Sequence, residues 1–389
     1  MTVDALKDRD PRAIGKRLQT ARTACGKTQQ EAADFLGVAR TTVTAIEKGE
    51  RRIQAGELAR LAGLYGRSLG ELLRPGEPVE AFTESLRSAL PPDPALAAEI
   101  GPALLELQRL CEDYLELERI RRAPLPRRYP SLYETGGVTP ALAAEDIATA
   151  ERNRLGLGDG PLPNLREFLE TDVGVRTFYL DLPQQVVALY AFTDSIGACV
   201  AANRRHSEVR RRLAIAHEYG HFLTQRFRAE VTLVGRPERQ PKQERLAETF
   251  SRAFLIPAAG LRRRFHEIYR SRKGSLTPAD IYRLAHLYSV PFEAMTLRLQ
   301  DLKLLTAGTL GRLQRSSLPL QEESAMEPHS SPGEIVPLRY LFLAVEAFEQ
   351  GDLSEGQLTR LLRVDRVEAR RLAERYSGVL EPLRSLGAA

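Results

Sequence analysis

The chain has 389 residues, 43% of them apolar, and a formal net charge of +5. That supply of apolar side chains is enough for two or three packed domains and excludes a chain too polar to fold. No apolar run nears the roughly 20 residues that cross a bilayer, the N-terminal MTVDALKDRD lacks the order of a signal peptide, and Cys25, Cys111 and Cys199 form no C-x-x-C pair, so a cytoplasmic protein with no membrane segment and no disulfide framework is expected.

The charge is concentrated near the N-terminus. Between Arg12 and Arg52 nine basic residues stand against four acidic ones, a local +5. From there to about Pro75 the pattern is five short helices separated by glycine. Ile14, Leu18 and Ala21 make a first amphipathic helix that ends before Gly26. Thr28 caps a second, with Glu31 as its capping-box partner and Ala32, Phe35 and Leu36 on its inner face. Gly37 turns the chain, and a third helix, Ala39 to about Lys48, buries Val43 and Ile46 while leaving Arg40, Thr41, Thr42 and Thr44 outside. A helix, a tight turn and a helix with short polar side chains facing out is what a reader of the major groove needs. The stretch KTQQEAADFLGVARTTVTAIEKGERRI resembles the Xre and phage-repressor type of helix-turn-helix domain. The resemblance implies a double-stranded DNA operator as partner. It implies that Gln29 and Gln30 contact the DNA backbone or an adjoining base edge, that Arg40, Thr41 and Thr44 face the bases, and that Lys48 and Arg51 lie near phosphates.

After Leu73 the run PGEPVEAFTESLRSALPPDP, rich in proline and acids, reads as a connector. Ala95 to Ile120 then repeats Leu96, Ile100, Leu104, Leu107, Leu110, Tyr114 and Leu117 at three and four residues, a helix with one apolar stripe. Operators read by such domains are usually two-fold, so this stripe is expected either to make a homodimer or to pack on the neighbouring domain. RRAPLPRRYPS marks a second joint. Beyond it come a helix from Pro140 to Arg154, a glycine-rich loop and another helix through Phe168. Val173 to Leu182, Val186 to Phe192 and Ile196 to Ala202 are rich in β-branched and aromatic residues and read as a small antiparallel sheet, with Asp194 and Ser195 at a turn.

AHEYGHFL, Ala216 to Leu223, holds His217, Glu218 and His221 in the order H-E-x-x-H. Histidines four apart on a helix lie on one face, where both rings reach one zinc ion, and Glu218 sits where it can take a proton from water. A catalytic zinc needs a third protein ligand. His266, His286 and His329 belong to no metal motif, and no H-x-x-G-x-x-H continuation follows His221. In QERLAETFSRAFLIP, Leu246, Phe250, Ala253 and Phe254 share one side of a helix, while Glu244 and Glu248 stand four apart on another with Ala247 and Ser251. The two acids suggest one ligand and one partner that orients a ligand.

RLAIAHEYGHFL and QERLAETFSRAFLIP together resemble the ImmA/IrrE family of zinc metallopeptidases, whose motifs are H-E-x-G-H followed by E-x-x-A-D/N-x-F-A, over about Thr139 to Leu305. The resemblance implies that Glu244 is the third zinc ligand, Ala247 a small packing residue and Phe250 a core aromatic. Glu248 stands where the family carries Asp or Asn, and a longer acid there either bonds to a ligand histidine or displaces Glu244 as ligand. Tyr190, His206 and Tyr219 could each donate to an oxyanion, but His206, amid NRRHSEVRRR, reads as a surface histidine in a basic patch and is left out of the site. The resemblance also implies that such peptidases cut a helix-turn-helix repressor and so derepress genes, often in stress responses.

Leu276 to Leu305 reads as two packing helices, residues 315 to 334 as a linker, and Pro337 to about Leu386 as a last helical unit without chemistry. The expected fold is mainly α with a small β-sheet, an α+β chain. It divides into a helix-turn-helix domain at 10–75, a linker and amphipathic helix at 76–130, a zinc metallopeptidase domain at 131–310 and a C-terminal module at 335–389. The leading expectation is a DNA-binding regulator whose zinc endopeptidase cuts a repressor, or itself. The alternatives are a metal- or ligand-sensing transcription factor that does not cut and a general cytosolic metallopeptidase.

Overall fold

The computed structural model describes residues 10–73, 79–235, 241–315 and 334–380. His329 and most of the expected linker before residue 334 lie outside them.

The N-terminal unit is five helices: α1 (Pro11–Ala24), α2 (Gln29–Leu36), α3 (Arg40–Glu47), α4 (Ala55–Leu64) and α5 (Leu69–Leu72). Thr28 and Glu31 form the reciprocal capping box at the start of α2, satisfying donors that a helix start leaves over. Gly37, at φ 72°, ends that helix in the left-handed region that glycine enters without a Cβ penalty. Ile14, Leu18, Ala32, Leu36, Val43, Ile46, Leu58 and Leu61 close a core of their own.

After α6 (Thr83–Ala89) and α7 (Pro94–Ile120) come α8 (Pro140–Arg154) and α9 (Leu165–Phe168), which runs into a π-turn at Leu169–Val173. Four strands follow, with one helix among them: β1 (Arg176–Leu180), β2 (Val186–Thr193), β3 (Gly197–Asn203), α10 (Glu208–Gln225) and β4 (Glu230–Leu233). The sheet order is β1-β3-β2-β4. It is mixed rather than antiparallel throughout, because β1 pairs parallel to β3 while β2 pairs antiparallel to both β3 and β4. The turn between β2 and β3 holds Asp194 and Ser195, as their residue types suggest. The strand β4 was not foreseen: its four residues are too few to carry a period.

Side chains alternate across the sheet and feed two cores. Along β3, Ala198, Val200 and Ala202 face the core that includes α8 and α10, whereas Cys199 and Ala201 face the other side. The first core continues through α11 (Lys242–Leu255), α12 (Ala258–Ser271), α13 (Pro278–Tyr288) and α14 (Phe292–Asp301). After α15 (Thr309–Arg315), the last three helices, α16 (Leu338–Glu349), α17 (Glu355–Leu362) and α18 (Arg366–Leu380), return to the opposite face of the sheet. There α7 packs: Leu96, Ile100, Leu104, Leu107, Leu110, Tyr114 and Leu117 share one core with Phe178, Leu189, Tyr340, Leu341 and Leu358. The stripe that suggested a dimer is spent inside the chain, and the C-terminal helices complete the same layer. Ion pairs fasten that layer, with Arg363 on Glu106 and Asp113 and Arg121 on Glu346. Cys111 and Cys199, 88 positions apart in sequence, are both buried in it as free thiols.

Polar contacts seat the N-terminal unit on this body. Arg67 pairs with Glu112 at 2.7 Å, Arg87 donates to the carbonyl of Ala24 at 2.7 Å, and Arg360 pairs with Glu71 at 2.9 Å. Among the described residues no helix is long and apolar enough to cross a membrane.

Candidate metal centre and DNA-reading face

His217 and His221 lie one turn apart on α10, and Glu244 stands on α11, which packs directly against it. Gly220 makes this approach close. A Cβ there would stand 3.0 Å from Phe250 Cδ1 and 3.2 Å from the Cα of Ala247, so the glycine between the histidines and the small residue three after Glu244 are two halves of one contact. The result is a triangle: His221 Nε2 to His217 Nε2 is 3.1 Å, His217 Nε2 to Glu244 Oε2 is 3.4 Å, and His221 Nε2 to Glu244 Oε1 is 3.3 Å. Ligands placed tetrahedrally at about 2.0–2.1 Å from a zinc ion are about 3.3–3.4 Å from one another. Taken one atom per residue, the three groups lie within 4.8 Å of one another, with a Glu244 oxygen facing each ring nitrogen, which is the N/O donor set that zinc takes. Hydrogen bonds from His217 and His221 hold the Glu244 carboxyl far below the usual carboxylate range, keeping it an acceptor. Burial works against a charged His221, but the bond to Glu244 and the carboxylates of Glu218, Glu244 and Glu230 outweigh it and raise its pKa.

Glu248 stands elsewhere. Its Oε1 lies 3.5 Å from Arg252 Nη1, one turn on, and the cluster of potential ligands found among the described residues comprises His217, His221 and Glu244 without it. Among the described residues the buried Nδ1 of His221 has no hydrogen-bond partner, and none of their carboxylates orients that ring through it. His266 and His286 lie exposed on α12 and α13.

Glu218 is fully buried, and burial raises its pKa against the pull of both histidines and of Thr232. The Thr232 hydroxyl donates to Glu218 Oε1 at 2.6 Å, while Oε2 has no partner among the described residues. A buried carboxylate oxygen left unpaired is costly in a resting structure, which marks this one as the end meant for something else. Thr232 and Glu230 escaped the reading of the sequence. Two apart on β4, they point to one face of it, and Glu230 is close enough for its charge to act on His221, Glu244 and Glu218. The only signal for them was alternation in a four-residue strand.

The three candidate oxyanion donors are engaged otherwise. The Tyr219 hydroxyl donates to buried Glu151, which also receives Tyr133 at 2.9 Å. Tyr190 donates to the carbonyl of Arg226 at 2.7 Å, and His206 is half-buried beside Arg210 and Arg211, its pKa lowered chiefly by burial.

On the N-terminal unit, Arg40, Thr41 and Lys48 are exposed on α3 and just past its end. Beneath them runs a polar chain, buried at Arg22 and Glu47 and partly buried at Gln29 and Thr44. Arg22 pairs with Glu47 through two bonds of 2.6 and 3.0 Å, Gln29 donates to Glu47 at 2.8 Å, and Thr44 donates to Gln29 at 3.1 Å. It locks α1, α2 and α3 together, so Gln29 and Thr44 act on the placement of α3 as well as on its surface. Gln30 donates to Asp34, and Arg51 forms a two-bond pair with Glu57 at the start of α4.

Comparison with protein families matches residues 18–72 to a helix-turn-helix model and residues 170–300 to the model of the IrrE N-terminal-like domain. Comparison with curated proteins finds no match. The second span holds the whole histidine and glutamate triangle, and the first holds α2 and α3 with the polar chain beneath them. The chain therefore has the architecture of an Xre-like helix-turn-helix domain fused to an ImmA/IrrE-like peptidase-family domain, that of a DNA-binding regulator with a peptidase-like domain.

Proposed function

We propose that the chain is a cytoplasmic, zinc-dependent endopeptidase coupled to an operator reader, and that it cuts a helix-turn-helix repressor, or its own N-terminal unit, to derepress genes such as those of a stress response. The observation that carries this reading is the convergence of His217, His221 and Glu244 beside a buried carboxylate with one uncommitted oxygen. His217, His221 and Glu244 would hold the ion. When bound, zinc supplies Lewis acidity that brings the pKa of water towards about 7 and polarises a peptide carbonyl.

The rest is the work of the chain's own groups. Glu218 takes the proton of water at Oε2 while Thr232 holds Oε1 in place, and the carboxyl then passes that proton to the leaving amine. Burial, which raises the pKa of Glu218, favours holding the proton between these two transfers. Among the described strands β4 is an outer edge of the sheet, with one side of its backbone free to pair with an extended peptide running past α10. A domain that only sensed metal would have no use for the open oxygen of Glu218.

On the DNA side, Arg40, Thr41 and Thr44 read bases, Gln29 and Gln30 contact the backbone or an adjoining base edge, and Lys48 and Arg51 lie near phosphates. Two copies on a two-fold operator are part of the proposal, with an interface other than the α7 stripe. The test is a reporter of the regulated operator in cells that carry either the wild-type chain or Glu218→Gln. Loss of derepression with operator binding retained supports the reading, and regulation unchanged by the substitution contradicts it.

A further inference from the structure

We propose that the exposed face of α12 is a second DNA-contact surface, one that grips the phosphate backbone of duplex DNA. Between residues 262 and 273 stand Arg262, Arg263, Arg264, Arg270, Arg272 and Lys273 against one acid, Glu267. The helix is amphipathic, with Leu261 and Phe265 buried in the core below. Arg262, His266 and Arg270 recur at four-residue steps with Arg263 beside them, which places them in one stripe about 12 Å long.

Their partners separate them from an ordinary solvated face. Arg264 pairs with Glu267 at 3.1 Å and Arg272 with Asp280 at 3.2 Å, so these two charges are compensated. The stripe is not. Arg262 donates to the carbonyl of Leu302 and Arg270 to the carbonyl of His266, each at 3.2 Å, and neutral acceptors leave the guanidinium charge intact. Among the described residues none of Arg262, Arg263 and Arg270 pairs with a carboxylate. A row of uncompensated, forked donors on a rigid helix fits phosphate, and in a chain with a helix-turn-helix domain the polyphosphate at hand is DNA. The stripe of Arg262, Arg263, His266 and Arg270 holds no short polar side chain, so it adds affinity and salt dependence rather than sequence choice.

The inference rests on DNA binding by the N-terminal unit, and the experiment separates the two. Binding of the full chain to a random-sequence 40-base-pair duplex is measured by fluorescence anisotropy across a range of salt. The proteins are the wild type, a triple variant Arg262→Ala, Arg263→Ala, Arg270→Ala, the single variant Arg264→Ala and the pair Arg40→Ala with Thr44→Ala. Each phosphate contact contributes about 0.9 to the slope of log affinity against log salt, so the triple variant should lose about 2 to 3 from the slope and more than tenfold in affinity at low salt. Arg264→Ala should lose little. Thermal unfolding and zinc uptake of the triple variant equal to wild type exclude misfolding as the cause. Substituting charge back with lysine at the three positions should restore most of the slope. A triple variant with wild-type slope and affinity overturns the proposal and leaves the N-terminal reader standing. Loss confined to the Arg40 and Thr44 pair does the same, and no binding of the wild-type chain to any duplex overturns both.

Discussion

The Thr232 hydroxyl donates to Glu218 at 2.6 Å and so ties the edge strand β4 to the acid of the H-E-x-x-H helix. One oxygen of that acid is held and the other is left open among the described residues. Thr232→Val keeps the shape and removes the donor. A hydrogen bond to a charged group contributes about 1.5 to 3 kcal/mol, so peptide cleavage should slow by roughly ten- to a hundredfold with zinc affinity unchanged. Thr232→Ser should recover most of the rate. Equal rates for the valine variant and wild type would remove Thr232 from the mechanism.

The distance between α10 and α11 is set by Gly220 against Ala247 and Phe250. Gly220→Ala forces a backbone contact to open, since Ala247 has no flexible end to move aside. Overpacking of this kind costs about 1 to 3 kcal/mol, visible as a lower melting temperature of the zinc-free protein. Glu244 moves away from the histidines with α11, so zinc affinity measured by calorimetry should fall as well. Unchanged melting and unchanged zinc affinity would contradict this packing account.

Glu244 and Glu248 are chemically alike and one turn apart, and only Glu244 meets both histidines. Glu244→Gln should lower zinc affinity by at least a hundredfold, whereas Glu248→Gln should leave it within a few-fold. The reverse ranking in a competition titration against a chromophoric chelator would transfer the ligand role to Glu248.

The π-turn after α9 carries Glu170, buried where Tyr114 donates to it at 2.7 Å. Burial raises its pKa to about 7, with the Tyr114 bond and Arg166 acting in the other direction. A carboxyl whose folded pKa lies above its unfolded value of about 4.5 binds more protons when folded, so stability falls as pH rises from about 4.5 to 7, by roughly 3 kcal/mol. Glu170→Gln stays neutral and still accepts from Tyr114. Its stability relative to wild type, from urea unfolding, should therefore grow across that window and level off above it. A difference independent of pH would contradict the raised pKa.

The legible parts of this chain are those whose chemistry is local in sequence. The capping box at Thr28, the turn at Gly37, the histidines four apart and the two acids on one later helix all declare themselves within a turn or two of helix. The choice of Glu244 over Glu248 needs the packing of α11 on α10, and the sequence carries only its trace, in Gly220 and Ala247. Thr232 and Glu230 were illegible because four half-buried residues give no period to read. The α7 stripe was legible as a stripe but not as to its partner, since apolar spacing is the same for a dimer seam and for a layer on a sheet. The parallel pairing of β1 and β3 was missed for a related reason: strand direction is set by the connections, and β2 intervenes between them in the chain.

The central claim is that Glu218, with a zinc ion held by its neighbours, cuts peptide bonds in helix-turn-helix proteins. The most direct measurement is mass spectrometry of peptides tiled across such domains, residues 10–75 of this chain included, after incubation with the purified full chain. Wild type, Glu218→Gln and wild type with chelator are run side by side, with bound zinc quantified in each. The account predicts new peptide termini with zinc-loaded wild type, none with the chelator, and none with Glu218→Gln although that variant still binds zinc. Zinc-loaded wild type that yields no new termini, or termini that persist in Glu218→Gln, would contradict it.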